Sequence, residues 1–567
     1  MPRLARLFAC IVLASVALIG GSFPASAQTC EVPDSHGTIT AAVDDQACTE
    51  IAVRAGTWEE TVFIDRDVAI TGSGIGQTIL KPSAGAVFEM FNQPTLTLEG
   101  LSLEGPETQG NLFGVGVAVD GTLVARDVSI QYFQTGIIAV GGSEFIQLND
   151  CDIANNERGV DTEFRAAGFL MENCTVRFNS PRGGLSLARG RITNSRIEHN
   201  LSYRQGGGVF FGVSGTLDNT VVSNNQSGLP GEPYADGGGV FLLGKPNDVG
   251  AAGEPAFIIR DSVIENNVAN RYGGGVAVHA CNVPGCEGLP NYLANLLMER
   301  TIVRNNSVSD LGGGVSVRGY ALIQDSTIER NGSLRDPTIY VDGFGDGGGV
   351  GIHVGEATIE RTLIRQNGAS NDGGGITVSI GSGGKLRLVN STVTENNADG
   401  NGGAIFDRGQ IEILNSTIAG NVADANSDGV GDGGGLALAG IAYPAILSSI
   451  ISANEDRSPT QQMRNCMGGT VLSYGGNLFN RFGNNCSISL SANASPVPDQ
   501  INQRAGLSRP IWDSDTYVVP FRRNGPAAGT GFCDKLPSLQ VDEPLTVDQR
   551  GEKRDPAACD IGSYEQN

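Results

Sequence analysis

A six-residue pattern repeats along most of the chain and limits the folds that are open to it. Each copy begins with Cys, Ser or Thr, carries Ile or Val two positions later, and ends in Asn five positions later. Internal similarity of this kind indicates a solenoid, in which each repeat is one unit of a stack. The copies are CDIANN from Cys151, CTVRFN from Cys174, SRIEHN from Ser195, TVVSNN from Thr220, SVIENN from Ser262, TIVRNN from Thr301, STIERN from Ser326, TLIRQN from Thr362, STVTEN from Ser391, STIAGN from Ser416 and SIISAN from Ser449.

A glycine-rich element follows the Asn of most copies and predicts a strand. Glycine reaches backbone angles that are closed to other residues, and the alternation of β-branched residues after it is typical of a short strand. The copies are GGGVFF from Gly206, GGGVFL from Gly237, GGGVAV from Gly273, GGGVSV from Gly312, GGGVGI from Gly347, GGGITV from Gly373, GGAIF from Gly402 and GGGLAL from Gly433.

The spacing of the copies predicts an all-β fold, a single elongated right-handed parallel β-helix. Copies lie 21 to 42 residues apart, and the minimum is near the length of one coil of a β-solenoid. One coil cannot bury its own apolar side, but coils stacked about 4.8 Å apart build a continuous core. Ile153 and Val176 should begin an inward ladder. Asn156 and Asn179 should begin a second ladder at a turn, with each amide bonded to the next coil.

The first 27 residues predict an export signal rather than part of the fold. Arg3 and Arg6 make a basic start, residues 7–20 are apolar, and residues 25–27 (Ala-Ser-Ala) offer the small side chains that signal peptidase requires. We therefore expect cleavage near Ala27 and a secreted or extracellular protein, with association to a surface as one option. No later apolar run in the sequence is long enough to span a membrane.

The net charge argues against two classes of partner. It is −23 at pH 7, and removal of the two leader arginines makes the remaining chain more acidic still. Nucleic acid and anionic lipid need clustered basic groups, so neither is an expected partner. We expect a polysaccharide or cell-surface glycan as partner, and a monomer.

Cysteine spacing predicts a disulfide framework. Ten of the eleven cysteines lie after residue 27, an even number that fits an oxidising compartment. Cys151 and Cys174 occupy the same column of successive coils, as either a stacked thiol pair or a disulfide. Proximity in the sequence favours the pairs Cys30–Cys48, Cys281–Cys286, Cys466–Cys486 and Cys533–Cys559.

Three regions resemble known β-helix proteins. GTITAAVDDQACTEIAVRAGTWEETVFIDRDVAITG (37–72) is similar to the opening coils of pectin-lyase-like right-handed β-helices, where an AAV segment caps the core. The repeats resemble the central coils of the same class. DQRGEKRDPAACDIGSYEQ (548–566) resembles the closing motif of bacterial choice-of-anchor Q proteins, and NCMGGTVLSYGGNLFNRFGNNC (465–486) resembles the cysteine-bounded segment of that family.

This resemblance implies a division of the chain but no particular chemistry. The expected parts are a signal peptide (1–27), an N-terminal cap (28–60), β-helix repeats (61–454) and a small disulfide-bearing C-terminal module (455–567). Residues 553–556 (Lys-Arg-Asp-Pro) depart from the family's closing motif, where an Arg-Pro pair is usual. The β-helix class includes lyases, hydrolases, epimerases and inert adhesins, so function depends on a site.

The strand after the glycines supplies the candidate catalytic residues. If the first and third residues of VAVH, VSVR and VGIH face the core, the second and fourth face outward. The fourth positions are then His279, Arg318 and His353 in consecutive coils. A strip beside them suits a carbohydrate chain, with Arg318 on a uronate and a histidine as acid or base, and the alternative is ordinary surface residues. The candidate substrate-binding residues of this strip are Ser316, Thr377, Ser379 and Arg408.

DANSDGVGDGGG, which ends at Gly435, predicts a weak calcium loop. The bidentate Glu expected at its last position is that glycine, so calcium should bind weakly or with help from Asp342 and Asp346. The alternative is a plain polar turn. The oxygen ligands would come from Asp424, Asn426, Asp428, the Val430 carbonyl and Asp432.

We therefore expect an exported β-helix scaffold that engages extracellular polysaccharide or a cell surface. The first alternative is a polysaccharide lyase or epimerase acting on uronate-containing glycans, and the second is a structural or adhesin-like surface protein. A hydrolase is less expected than a lyase or an epimerase. The one pair of adjacent aspartates, Asp44 and Asp45, lies in the cap, and the sequence has no G-x-S-x-G motif.

Overall fold

The protein is a right-handed parallel β-helix, as the repeat predicts. Among the described residues, no helix is long and apolar enough to cross a bilayer. Residues 1–27, the expected export signal, lie outside the described residues. The computed structural model describes residues 28–106, 114–163, 168–229, 235–244, 255–279, 294–334, 345–379, 383–440, 442–459, 464–482, 486–513, 516–555 and 558–566.

Each full coil contributes a strand to three parallel ladders. The first ladder ends just before the Cys, Ser or Thr of each repeat. Its strands are Gln28–Val32, Cys48–Val53, Val68–Thr71, Thr95–Glu104, Thr122–Gln131, Phe145–Asn149, Gly168–Glu172, Leu185–Thr193, Val209–Asp218, Phe257–Arg260, Ala294–Glu299, Val315–Gln324, Val350–Glu360, Lys385–Val389, Gln410–Leu414, Ala445–Leu447, Thr470–Ser473 and Ser487–Leu490.

The second ladder carries the six-residue pattern, and Thr95–Glu104 and Thr122–Gln131 turn a corner into it from the first. Its other strands are Gly56–Glu59, Thr78–Lys81, Asp152–Ala154, Thr175–Arg177, Arg196–Glu198, Val221–Ser223, Val263–Glu265, Ile302–Arg304, Thr327–Glu329, Leu363–Arg365, Thr392–Thr394, Thr417–Ala419, Ile450–Ser452, Leu478–Phe479 and Gln500–Ile501.

The third ladder carries the strand after the glycines. Its strands are Val62–Ile64, Ala86–Met90, Val115–Val119, Thr135–Ala139, Arg158–Asp161, Val240–Leu243, Val276–His279, Ile376–Val378, Ile405–Asp407, Leu436–Leu438 and Cys466–Met467, with the first halves of Leu185–Thr193, Val209–Asp218, Val315–Gln324 and Val350–Glu360. Nine two-residue strands between the Asn and the glycines form a short ladder of their own: Leu201–Ser202, Gln226–Ser227, Val268–Ala269, Ser307–Val308, Gly332–Ser333, Gly368–Ala369, Asn397–Ala398, Val422–Ala423 and Glu455–Asp456.

A short helix, Ile39–Asp44, lies at the N-terminal end of the stack. Thr38 caps it by accepting a hydrogen bond from the N–H of Ala41, and the carboxylate of Glu60 accepts from the N–H groups of Ile39 and Thr40. These bonds satisfy donors that the first turn of a helix leaves free. The buried side of the helix, which includes Ile39, packs on the apolar interior of the first coils.

The inward and asparagine ladders form as expected. Ile153 and Val176 are fully buried and paired across adjacent coils. Asn156 donates from Nδ2 to Oδ1 of Asn179 at 3.0 Å and to the backbone oxygen of Ile130 at 3.1 Å. The same two bonds recur from coil to coil down to Asn454. Every buried turn amide is thereby satisfied, which explains why the repeat keeps Asn at this position.

The residue that opens each repeat forms a further ladder, which explains why it is Cys, Ser or Thr. Ser195 donates from its hydroxyl to the backbone oxygen of Thr193 at 2.7 Å and accepts the N–H of Cys174 at 3.1 Å. Cys174 repeats this arrangement with sulfur: its thiol donates to the backbone oxygen of Glu172, and its sulfur accepts the N–H of Cys151 at 3.2 Å. Cys151 and Cys174 are therefore buried free thiols, which decides the question that the sequence left open.

The structure contains three of the four expected disulfides, Cys30–Cys48, Cys466–Cys486 and Cys533–Cys559. The fourth expected pair, Cys281–Cys286, lies outside the described residues. The stack continues past residue 454, because strands as late as Gln500–Ile501 still pair in parallel with the coils before them. A hairpin, Ile511–Asp513 with Thr516–Val518, and a 3-10 turn, Pro537–Leu539, follow.

The closing motif folds back onto the side of the stack. Arg554 is 4% exposed, and its guanidinium donates to Oδ1 of Asn390 at 3.1 Å, to the backbone oxygen of Gly562 at 2.5 Å and to the Glu565 carboxylate at 3.2 Å. Ser563 binds Thr417 through both its N–H and its hydroxyl. The residues of the DQRG and DIG-x-x-E motifs thus attach the closing segment to the corner of earlier coils. We call this attachment the clip.

Candidate functional site

Two residues of the expected His–Arg–His series are direct neighbours on adjacent strands. Val276–His279 pairs in parallel with Val315–Gln324, so that Ala277 lies beside Ser316 and His279 beside Arg318. The next coil is irregular: the register shifts after Val317, and Arg318 pairs with Val354 instead of His353.

Part of the strip is covered, which corrects for His279, Ser316 and Thr377 the expectation that the side chains of the strip face solvent. His279 is 1% exposed, Ser316 0% and Thr377 1%. The segment before the glycines folds over the outward face of the strand. Leu311, for example, lies so close to Gly351 that a Cβ at this glycine would come within 2.4 Å of Leu311 Cγ. Alternation along a strand correctly predicts which side chains leave the core, but not that another segment then buries them.

Tyr272, which directly precedes the glycines of its coil, organises the site. The guanidinium carbon of Arg318 is 4.1 Å from the centroid of the Tyr272 ring, and that of Arg271 is 4.5 Å away. Arg318 Nη2 also donates a hydrogen bond to Tyr272 Oη at 2.8 Å. The ring centroids of His279 and His353 lie 5.8 and 6.2 Å from that of Tyr272. The tyrosine therefore brings together the two histidines that the register separates.

Asp236 closes the group on its buried side. Its two carboxylate oxygens accept from Nε of Arg271 at 2.9 Å and from Nη2 at 2.5 Å. His279 Nε2 is 3.6 Å from Asp236 Oδ2, which is too long for a hydrogen bond. The Phe241 ring lies 5.1 Å from that of His279. We refer to the following residues as the Tyr272 cluster: Asp236, Arg271, Tyr272, His279, Arg318 and His353.

Burial sets the charge of the Tyr272 cluster. It lowers the pKa of His279 to about 4 and, helped by the nearby Arg318, that of His353 to about 4. Burial also raises the pKa of Tyr272 to about 12, against the opposing effect of Arg318. Both histidines and the tyrosine are therefore neutral at pH 7. Arg271 is paired with Asp236, and the buried carboxylate of Asp310 also lies near enough to help raise the pKa of Tyr272.

Three buried polar atoms of neighbouring residues have no hydrogen-bond partner within the described part of the chain: His279 Nε2, Ser316 Oγ and Arg318 Nε. Buried polar groups are nearly always bonded, so three neighbouring exceptions call for a common explanation. A ligand or solvent group that bonds to all three is the simplest one. Arg318 and His353 themselves are partly exposed.

Sequence reasoning missed Asp236, Arg271 and Tyr272. It treated the residues after the glycines as the site and those before them as loop. A signal was present, because Asp236 and Tyr272 directly precede Gly237 and Gly273. Their backbones are adjacent in the stack, since the N–H of Gly237 donates to the backbone oxygen of Tyr272.

The remaining candidates of the strip have other contacts. Arg408 stacks on Phe406, with 4.6 Å from its guanidinium carbon to the ring centroid, and lies 3.8 Å from the Asp372 carboxylate. The Ser379 N–H donates to the backbone oxygen of Ile352. Thr377 donates from its hydroxyl to the backbone oxygen of Asp372 at 3.0 Å.

The expected calcium loop is a hydrogen-bonded turn. The buried Asp424 accepts from the N–H groups of Asp428 and Gly429, and Asp428 accepts from the N–H of Val430. Asn426 donates to the Asp428 carboxylate, and Asp432 accepts from the hydroxyl of Ser458. Among the described residues, the one group of three His, Cys or carboxylate ligand atoms within 4.8 Å of one another is Cys30, His36 and Cys48, two of which form a disulfide.

Calcium binding at this loop stays a prediction. Asp346 is buried and lies three coils before this loop, and Asp342 lies outside the described residues. The melting temperature of the protein, measured with calcium and with a chelator, tests the prediction, and an unchanged value would contradict it.

Comparison with known proteins finds only solved structures of low sequence identity. No protein-family model matches the chain, and no curated protein matches it. The catalytic domain of a GH87 α-1,3-glucanase aligns over 66% of this chain at 13% identity with a TM-score of 0.35, and the aligned part is 66%, just under two thirds, of the glucanase domain. The A-modules of the mannuronan C-5 epimerases AlgE4 and AlgE6 from Azotobacter vinelandii align over 64% and 66% of this chain and 92% and 93% of their own, at 14% identity with TM-scores of 0.37 and 0.38.

Proposed function

We propose that the protein is an exported β-helix scaffold that binds a uronate-containing polysaccharide at the Tyr272 cluster. Arg318 carries the proposal. Its guanidinium stacks on Tyr272, its Nε has no partner, and it forms no ion pair with any carboxylate of the described chain. A uronate carboxylate is planar and accepts two parallel hydrogen bonds from a guanidinium, so it would satisfy Arg318 in both charge and geometry.

A lyase or epimerase acting on the same glycans is the second candidate. His353 is neutral at pH 7 and accepts a proton, Tyr272 keeps its proton and donates one, and Arg318 neutralises the substrate carboxylate. In elimination, a base takes the C5 proton, the electron pair of that C–H bond forms the C4=C5 double bond, and the C4–O bond breaks as its oxygen gains a proton. In epimerisation, a proton returns to C5 on the opposite face.

Replacement of Arg318 tests the binding proposal. Calorimetric titration with polygalacturonate and with alginate should show binding by the wild-type protein, and Arg318→Ala should weaken it about tenfold or more, which corresponds to ~1.4 kcal/mol. Arg318→Lys should recover part of the affinity, because lysine keeps the charge but not the planar pair of donors. Arg196→Ala is the control for net charge, since Arg196 is exposed and paired with Glu198.

Two results of this titration would contradict the proposal: no binding by the wild-type protein, or equal affinity of Arg318→Ala and Arg196→Ala. The same mixtures distinguish the candidates. New ultraviolet absorbance from an unsaturated product indicates a lyase, and exchange of the C5 proton with deuterated water indicates an epimerase. Binding without either indicates a scaffold.

The wider setting belongs to the same proposal. Export through the leader at 1–27, a monomeric state and a closing segment of the choice-of-anchor Q type all fit an extracellular scaffold, and the three disulfides are consistent with that compartment. A structural or adhesin-like surface protein is the outcome left if no glycan binds. Mass determination of the mature chain would locate the cleavage site.

A further inference from the structure

A second concave site lies near the C-terminal end of the stack, and we call it the arginine groove. It encloses about 330 Å³, and its polar lining consists chiefly of three arginines and three asparagines: Arg464, Arg481, Arg504, Asn454, Asn465 and Asn480. Ala505, Gly506 and Leu507 form its apolar side. The groove shares no lining residue with the Tyr272 cluster.

The groove forms where the asparagine ladder changes. SIISAN (449–454) is followed one coil later by NLFNRF (477–482), so Phe482 stands where the repeat has Asn. Asn465 replaces the missing rung: its Oδ1 accepts from the N–H and Nδ2 of Asn454 at 3.1 and 2.9 Å. Its Nδ2 donates to the backbone oxygens of Asn480 and Arg481. This network places the buried Asn465, which is 2% exposed, in the wall of the groove.

Arg481 occupies a corner position that directs its side chain away from the core. Its φ is +44°, in the left-handed region, as at the equivalent Ala453 of the preceding coil, and it is exposed. Arg504 reaches the same groove from the next segment of chain and is also exposed. Two guanidinium groups on separate segments, joined by Arg464, thus converge on one concavity.

The charge of the groove is opposite to that of the protein. Among the described residues no Asp or Glu lines it, although the whole sequence has 61 acidic against 38 basic residues. Elsewhere in the stack, arginines at strand ends face a carboxylate of the preceding coil, as Arg300 faces Asp261 at 2.7 Å and Arg361 faces Asp325 at 2.7 Å. Arg481 and Arg504 have no such partner within the described chain. Left unpaired, they create a local positive potential that attracts anions.

We infer that the arginine groove binds an oxyanion carried by a saccharide, a sulfate ester or a uronate carboxylate. The guanidinium groups recognise the oxyanion through paired hydrogen bonds. Asn480 offers amide groups for sugar hydroxyls, and Leu507 and Ala505 offer an apolar surface for a ring face. This site is independent of the Tyr272 cluster and stands whether or not that cluster binds glycan.

Substitution of both free arginines tests the inference. Chondroitin sulfate and oligogalacturonate are titrated calorimetrically into the wild-type protein, into the double variant Arg481→Ala/Arg504→Ala, and into Arg191→Ala/Arg196→Ala. The last variant removes two exposed arginines elsewhere, so its net charge matches. We expect the groove variant to lose about tenfold or more in affinity for at least one glycan, and the control to keep wild-type affinity at equal salt.

Further measurements determine which class of ligand binds and at which site. Arg318→Ala separates the two sites, because it should leave this binding component intact. Inorganic sulfate alone is the remaining probe: an increase in melting temperature with sulfate but no saccharide binding would overturn the saccharide part of the inference. Equal binding by the groove variant and its control would overturn the site. If the double alanine variant is less stable than wild type, Arg481→Gln/Arg504→Gln replaces it, with the same criteria.

Discussion

Asp407 is an acidic residue at a position that is otherwise apolar. It takes the third, inward place of its strand, beside Val378 on one side and Leu438 on the other. It is 1% exposed, and within the described chain its Oδ1 accepts only the N–H of Gly409 and its Oδ2 has no partner. Burial accordingly raises the pKa of this carboxyl to about 6. The core of this coil is therefore compatible with a neutral Asp407 and strained by a charged one.

The pH dependence of stability should reveal this carboxyl. Its folded pKa lies above the unfolded value near 3.8, so its contribution to stability is full below that value and is lost as pH rises through about 6. Asp407→Asn should therefore raise stability at pH 7 by up to about 3 kcal/mol and change it little near pH 4. Melting temperatures across this range measure the difference.

The comparison must be made between variants, because His279 acts in the opposite direction. The pKa of His279 is lowered from 6.5 to about 4. Its contribution to folding stability is therefore lost as pH falls through this range, which nearly coincides with that of Asp407. The wild-type profile is thus a sum of two opposing effects. Asp127→Asn, at an exposed position, is the control. A gain from Asp407→Asn that is equal at both ends of the range would refute the assignment.

At the scale of the element, the asparagine ladder is the clearest case of one side chain stabilising its neighbours. Asn306 accepts the N–H and Nδ2 of Asn267 and donates to the backbone oxygen of Ile264 and to Asn331. All of these atoms are buried. Removal of one amide therefore leaves several donors and acceptors without a partner, in the coil before and the coil after.

Asn306→Ala should cost about 3 kcal/mol or more, because at least two buried groups lose their partner. Asn305→Ala is the matched control: Asn305 is adjacent and exposed, and its φ of +54° should make alanine there cost only about 1 kcal/mol. Urea unfolding compares the two, and hydrogen exchange at the Asn267 amide localises the effect. Equal losses would show that turn conformation, and not the ladder, explains the conserved spacing of Asn along the chain.

The elements were predictable from the sequence to different degrees, for physical reasons. A ladder depends on one residue type at one position of every coil. The identity of residues such as Asn156 and Ile153 is therefore enough to predict it. The Tyr272 cluster depends on how the segment before the glycines covers the strand after them. Its members Asp236 and His279 also lie in different coils. Alternation placed His279 outside the core but could not say that Tyr272 covers it. The register shift at Val317 has no counterpart in the repeat pattern.

At the scale of the whole molecule, the chain end fastens the side of the stack. Arg554→Met should cost about 3–5 kcal/mol, because it leaves the buried Glu565 without its charged partner. The closing motif should then become accessible to protease while the coils around Ile153 stay protected, since coils contact mainly their neighbours. Limited proteolysis with mass spectrometry measures both. Arg523→Met, at an exposed position, should have no effect, and cleavage that is unchanged in Arg554→Met would contradict the clip.

The helix Ile39–Asp44 also bears on how separate copies of the protein associate. Parallel coils repeat about every 4.8 Å, which is also the spacing at which a second, identical chain could add to an open end. A bare first coil would offer apolar interior and unpaired backbone groups as a template for such growth. Ile39 and Val43, 0% and 3% exposed, cover that interior. These six helical residues therefore cover the surface on which such growth would start.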